Sequence, residues 1–150
     1  MKNITLILSI YLFSISIINA QDKKESREKI RTLKIAYLTE QLNLTTKEAE
    51  KFWPIYNTFD KEKQLLKSEL RAQTKKVLND ANTLENVSDE VAERLVNLKL
   101  STDKKILEIE TLFVSKIQKI ISYPKIIQLQ FSEMEFGRKL MHKYRKKRKL

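Results

Sequence analysis

Asn43-Leu44-Thr45-Thr46-Lys47-Glu48-Ala49-Glu50-Lys51-Phe52-Trp53-Pro54-Ile55-Tyr56 holds the only tryptophan of the chain, one of its two prolines and its sharpest helix-start signal. Thr45 reads as an N-cap, and Glu48, three residues on, can reach back to the Thr45 N–H, which makes a capping box. A helix therefore starts at Thr46. Pro54 lies too deep to be a first-turn proline, so it either removes one internal hydrogen bond and kinks this helix or restarts it after a short first turn. On either outcome Phe52, Trp53, Tyr56 and Phe59 form an aromatic corner, with the preceding helix folded over it.

Downstream, Phe52, Tyr56, Phe59, Leu66, Leu70 and Val77 keep near-heptad spacing, which predicts a helix from Thr46 to about Leu78. At 1.5 Å per residue it spans about 50 Å. Asn79-Asp80-Ala81-Asn82 ends it, and a polar loop leads to Ser88, a candidate N-cap followed by Asp89 and Glu90 at the positive helix end. The next helix is predicted over Asp89–Ile121, with a stripe of Val91, Leu95, Leu98, Ile106, Ile109, Phe113, Ile117 and Ile120. Two long helices of matched length joined by a short linker pair antiparallel. A shorter helix precedes them, from about Ser26 to Leu42, and another follows Ser122-Tyr123-Pro124, with Pro124 suited to a first turn. With one Gly, two Pro and no sustained period-two alternation, the fold class is all-α: a long antiparallel helical hairpin with shorter N- and C-terminal helices.

Leu44-Thr45-x-x-Glu48 resembles the LTxxQ motif of the Spy/CpxP family of periplasmic helical proteins, with Glu48 at the Gln position. The continuation through Phe52, Trp53, Pro54 and Tyr56 resembles the Bacteroidetes-type branch labelled sensors of extracytoplasmic sigma factors. Ile121-Ser122-Tyr123-Pro124-Lys125 falls in register with a second, degraded copy, with Lys125 at its Gln position, and Ile126 to Leu140 continues the likeness through Phe136 and Arg138. Together these stretches cover most of residues 35–145. The resemblance implies an elongated, cradle-like homodimer that binds unfolded envelope proteins without ATP. In some members it implies repression of a membrane sensor kinase.

Residues 1–20 read as a secretory signal peptide: Lys2, an apolar run from Ile4 to Ile18, then Asn19-Ala20 before the charged Gln21-Asp22-Lys23-Lys24-Glu25. The alternative, an uncleaved anchor, has an apolar run shorter than the roughly 20 residues a bilayer span needs. Residues 21–145 then form one helical domain, and periplasmic export follows. With no cysteine, neither disulfides nor a lipid-modified cysteine contributes, so helix packing must supply the stability. The formal charge of +11 is unevenly spread: residues 21–137 hold 21 basic and 19 acidic side chains, a net of +2, and the excess lies in the tail at 143–150 and just before it. Export removes nucleic acid as a partner of Lys143, Arg145, Lys146, Lys147, Arg148 and Lys149, leaving acidic clients, weak contact with an anionic membrane surface, or solubility.

Enzyme chemistry has little to work with. One histidine, one glycine and no cysteine leave histidine-based triads, nucleophile elbows and glycine-rich phosphate loops little to draw on. The carboxylates stand at helical spacing from Lys or Arg, as Glu25 with Lys29, Glu90 with Arg94 and Glu110 near Lys104, which reads as an ion-laced surface. No catalytic residue, cofactor or metal site is expected; Met134, Glu135, Met141 and His142 are the only nearby donor set, and the methionines read as packing. What stands out is the breadth of the apolar arc on the last helix, roughly 220°, about twice what one packing partner needs. Either it is sandwiched within the fold, or part is buried in a homodimer or offered to clients. Phe131, Met134, Phe136, Met141 and the basic residues from Lys143 to Lys149 are the candidate client or partner surface. Two functions fit: a periplasmic ATP-independent chaperone-like or envelope-stress protein, or a regulatory partner of a membrane sensor, sigma factor or anti-sigma factor.

Overall fold

The computed structural model describes residue 25 and residues 28–147, so the signal segment lies outside the described residues. The described chain is all-α, with four helices and no strand. Helix α1 covers 28–42, α2 Thr46–Ala81, α3 Asp89–Ile117 and α4 Tyr123–Lys147, and a single 3-10 turn, Leu84–Asn86, joins α2 to α3. Two compact units result. One runs from Leu44 to Ile127, and the other combines the described residues up to Asn43 with those from Gln128 onward.

The larger unit starts at the capping box. Thr45 has extended backbone, its hydroxyl accepts from the Glu48 N–H at 3.3 Å, and the Glu48 carboxylate accepts from the Thr45 N–H at 2.7 Å. Two N–H groups that no helical carbonyl can reach are thereby satisfied. The helix then runs unbroken through Pro54 for 36 residues, so of the two outcomes open at the proline, a restart does not occur. Pro54 lacks the N–H that would bond one turn back; its own carbonyl accepts from the Thr58 hydroxyl at 3.0 Å. At the far end Asn82 adopts φ 61°, as Asn43 adopts φ 43° after α1. In a chain with one glycine, asparagine supplies the positive φ that ends a helix, since it tolerates that region better than other side chains.

Three details differ from the sequence-based expectation: α2 runs on to Ala81, three residues past Leu78, and the other two concern the cap and the end of α3. Ser88 occupies the N-cap position of α3 with extended backbone but makes no side-chain cap hydrogen bond, leaving Asp89 and Glu90 as the favourable charges in that first turn. α3 also stops at Ile117, four residues before the expected Ile121. The Ile120 and Ile121 N–H groups both turn onto the Ile117 carbonyl, at 2.8 and 2.9 Å. This tightening satisfies a terminal carbonyl a few residues before α4 begins at Tyr123, where Pro124 sits in a first turn that has no use for its missing N–H.

Ring packing between α2 and α3 forms the core of this unit. Phe59 and Phe113 stack with centroids 4.1 Å apart and planes 8° from parallel, and Phe113 also meets Phe52 at 6.5 Å and Tyr56 at 6.1 Å. Phe52, Tyr56, Phe59, Phe113 and Ile117 are all buried, whereas Trp53 is half-buried at the margin, edge-on to Phe52 and Tyr56. The ring that completes the aromatic corner thus comes from α3. Beyond it Lys63 bridges to Glu110, rather than Lys104 doing so, and further along Val77 lines one cleft with Val91, Leu95 and Leu98. These pairings run in opposite directions along the two helices, as an antiparallel hairpin requires. Toward that distal end burial thins: Leu66, Leu70, Val77, Val91, Leu95 and Leu98 are only half-buried.

In the second unit Leu38 and Leu42 of α1 and Leu129 and Ser132 of α4 are buried. Polar contacts on their flanks fix the pairing. Lys34 meets Glu133 at 2.9 Å, and the Tyr37 hydroxyl donates to Glu135 at 2.7 Å while accepting from Lys139 at 3.2 Å.

Phe113→Ala should cost about 3–5 kcal/mol, because it removes a ring packed against three others. Leu98→Ala, at a half-buried distal position, should cost under about 2 kcal/mol. Urea denaturation followed by circular dichroism measures both; equal losses would contradict the graded core.

Candidate interaction surface

The family-like residues turn out to serve the fold. Phe52 and Tyr56 are buried, Leu44, Trp53, Glu48 and Lys125 half-buried, and Thr45, Pro54, Ser122 and Pro124 are exposed at helix starts or on the outer side of α2. Glu48 and Lys125 are brought together. Lys125 donates to the same Glu48 oxygen that accepts from the Thr45 N–H, at 2.7 Å. The start of α4 is thereby pinned to the start of α2 within one unit. The ammonium of Lys125, and next the Thr45 N–H, hold the Glu48 carboxyl below its ordinary pKa. A depressed carboxyl pKa means the pin stabilises the fold at neutral pH and is lost as pH falls through the folded-state value.

A second lowered carboxyl lies in the smaller unit. Glu135 is held down first by the Tyr37 hydroxyl and then by the charge of Lys139, whose own pKa is raised by the same hydroxyl. Lys139 also sits 4.7 Å over the Tyr37 ring, and Phe136 packs on that ring at 5.8 Å. Both acids of α4 are therefore engaged: Glu133 by Lys34, and Glu135 by Tyr37, Arg138 and Lys139.

The broad apolar arc of α4 splits into two faces. Ile126, Leu129 and Ser132 are buried, with Phe136 and Leu140 half-buried along the same side. Phe136 belongs to the contact with Tyr37 and is not part of a free surface. The other side carries Ile127, Phe131, Met134 and Met141, exposed by 51, 59, 63 and 56 %, too much for any of them to be sandwiched in the chain's own core. Arg138 and Arg145 fall on this same face at helical spacing, and Lys143, Tyr144 and Lys146 are exposed beside it. Lys147 closes the helix; Arg148 and Lys149 lie outside the described residues.

Another exposed apolar set was legible in the residue spacing but masked by the stronger core stripe. Val96, Leu100 and Leu107 of α3 are 56, 59 and 63 % exposed. They recur at intervals of four and seven and lie on one flank of α3, beside its buried stripe. Among the described residues no group of three or more His, Asp or Glu side chains could hold a metal ion, and no helix is long and apolar enough to cross a membrane. Compared with known proteins, the chain matches no family model, no curated protein and no solved structure.

Lys125→Met should raise the Glu48 pKa relative to the unsubstituted protein while leaving it depressed, because the Thr45 N–H remains. Carboxyl-carbon NMR titration reads this directly. An identical titration in both proteins would mean that the Glu48–Lys125 pin does not form.

Proposed function

We propose that the protein is a non-enzymatic holding protein of the periplasm that binds partly unfolded proteins without nucleotide. The observation carrying this reading is the outer face of α4, where Phe131, Met134 and Met141 stand in solvent among Arg138, Lys143, Arg145 and Lys146. Covering a side chain of this kind contributes about 1.5–3 kcal/mol, so a few such contacts, offset by the ordering of a floppy client, hold it weakly and release it readily. Methionine adapts to differently shaped partners, which favours many clients over one. The basic residues add long-range attraction for acidic chains, screened beyond about 8–10 Å at ordinary salt. Placement in the periplasm rests on the signal-like residues 1–20 and on the resemblance of residues 35–145 to Spy/CpxP proteins.

In an aggregation assay with several chemically denatured proteins, the purified protein should suppress light scattering near stoichiometrically. A triple variant, Phe131→Ser with Met134→Ser and Met141→Ser, should lose most of that activity while keeping its helix content, since all three side chains are exposed. Full activity in the triple variant, or none in the unsubstituted protein, contradicts the reading. Retrieval of one membrane sensor or anti-sigma factor from envelope extracts, instead of a mixture, would favour the regulatory alternative.

A further inference from the structure

Sulfur occurs in this chain only as methionine, and only at Met1, Met134 and Met141. Among the described residues, none of the buried core side chains is a methionine. Met134 and Met141 stand on the outer face of α4 instead, 63 and 56 % exposed, seven residues apart and so nearly in line along the helix. Neither packs within the chain's own core.

Their neighbours on that face are arginines. Arg138 lies four residues after Met134 and three before Met141, and Arg145 lies four after Met141, the separations at which helix side chains meet. Arg138 already donates to the Glu135 carboxylate at 3.1 Å, but a guanidinium carries five N–H groups, so donors remain. Glu135 is itself engaged by Tyr37, Arg138 and Lys139, and no acidic side chain follows it in the sequence. A metal ion suits these two sulfurs poorly. The two residues are two turns apart, about 10 Å along the axis, and Arg138 between them repels a cation.

We propose that Met134 and Met141 form an oxidation switch: a peroxide converts both to sulfoxides and turns the outer face of α4 from apolar to polar while the helix stays folded. In each step the thioether sulfur attacks one oxygen of hydrogen peroxide. An S–O bond forms and the O–O bond breaks; the transferred oxygen gives its proton to the departing hydroxide, which leaves as water. Sulfur loses two electrons and the peroxide gains them. The new oxygen is a hydrogen-bond acceptor, and the arginine one turn on, Arg138 for Met134 and Arg145 for Met141, supplies a donor to it. No core contact has to break, because neither side chain is in the core. Reversal takes a reductase with a dithiol: the sulfoxide oxygen leaves as water, the thioether returns and the dithiol becomes a disulfide.

The switch rests on the holding function for its consequence alone. Oxidised, the face keeps Ile127 and Phe131 but loses two of its exposed apolar side chains, and it releases its client.

The test treats the full chain with hydrogen peroxide. Peptide mass mapping should find one added oxygen at Met134 and one at Met141, with circular dichroism unchanged and retention on a hydrophobic-interaction column reduced. The amount of protein needed for half-suppression of client aggregation should rise about tenfold, as expected for the loss of one or two apolar contacts. Methionine sulfoxide reductases acting on both epimers should restore mass, retention and suppression. A variant carrying Met134→Leu and Met141→Leu keeps the face apolar without thioethers, so peroxide should change neither its retention nor its suppression. Either methionine left unoxidised, loss of helix on oxidation, unaltered retention, or a leucine variant that responds like the unsubstituted chain would overturn the proposal. So would an oxidised protein that holds clients as well as the reduced one does. Retention is read without any client; a chain that switches its face yet suppresses no aggregation therefore contradicts the holding function and leaves the switch standing.

Discussion

The Phe113 ring against Phe59 is the contact on which the larger unit depends. Without cysteines and with its loop between α2 and α3 reduced to a 3-10 turn and a few further residues, the hairpin relies on side-chain packing, with the Lys63–Glu110 ion pair beside it, to hold its helices side by side. That packing is uneven. Rings from α2 close around Phe113 near the start of the long helix, while the distal apolar pairs remain half in solvent. A pair of helices alone cannot bury its seam on all sides, so the aromatic cluster concentrates burial where Ile117, Ile121 and Ile126 can add to it. The Glu48–Lys125 bridge then fixes where the last helix departs.

Electrostatics shapes the other unit differently. Glu133 and Glu135, the last acids of the sequence, are both spent on the pairing of α1 with α4. Every charge beyond them is positive. The outer face of α4 is consequently apolar and basic at once, while the outer face of α3 is apolar and acidic at Glu93 and Asp103. An exposed apolar stripe on either helix is unremarkable alone.

Most of the fold was legible in residue spacing. The Thr45–Glu48 capping box and the Pro124 helix start follow from local chemistry that acts within four residues, and the antiparallel hairpin from two long apolar stripes joined by a short linker. Features that depend on distant partners were not legible in this way. Glu110 finds Lys63 across the hairpin instead of a helical neighbour. Thr102 is buried in the α3 stripe, completing the series from Leu98 to Ile106, although its hydroxyl makes it a polar residue by hydropathy. Phe136 was indistinguishable from Phe131 by hydropathy; only the Tyr37 ring separates the packed side chain from the exposed one. Glu48 and Lys125, 77 residues apart in the chain, likewise acquire their meaning from the 2.7 Å bridge between them.

The central claim is that stability in the hairpin is graded, high at the aromatic cluster and low at the distal turn, with the exposed apolar faces left out of the core. Native-state hydrogen exchange, read amide by amide along α2 and α3, tests it most directly. The account predicts slowest exchange at residues 52–59 and 113–117, falling steadily toward 77–81 and 89–95. Uniform protection along both helices, or a maximum at the distal turn, would contradict it.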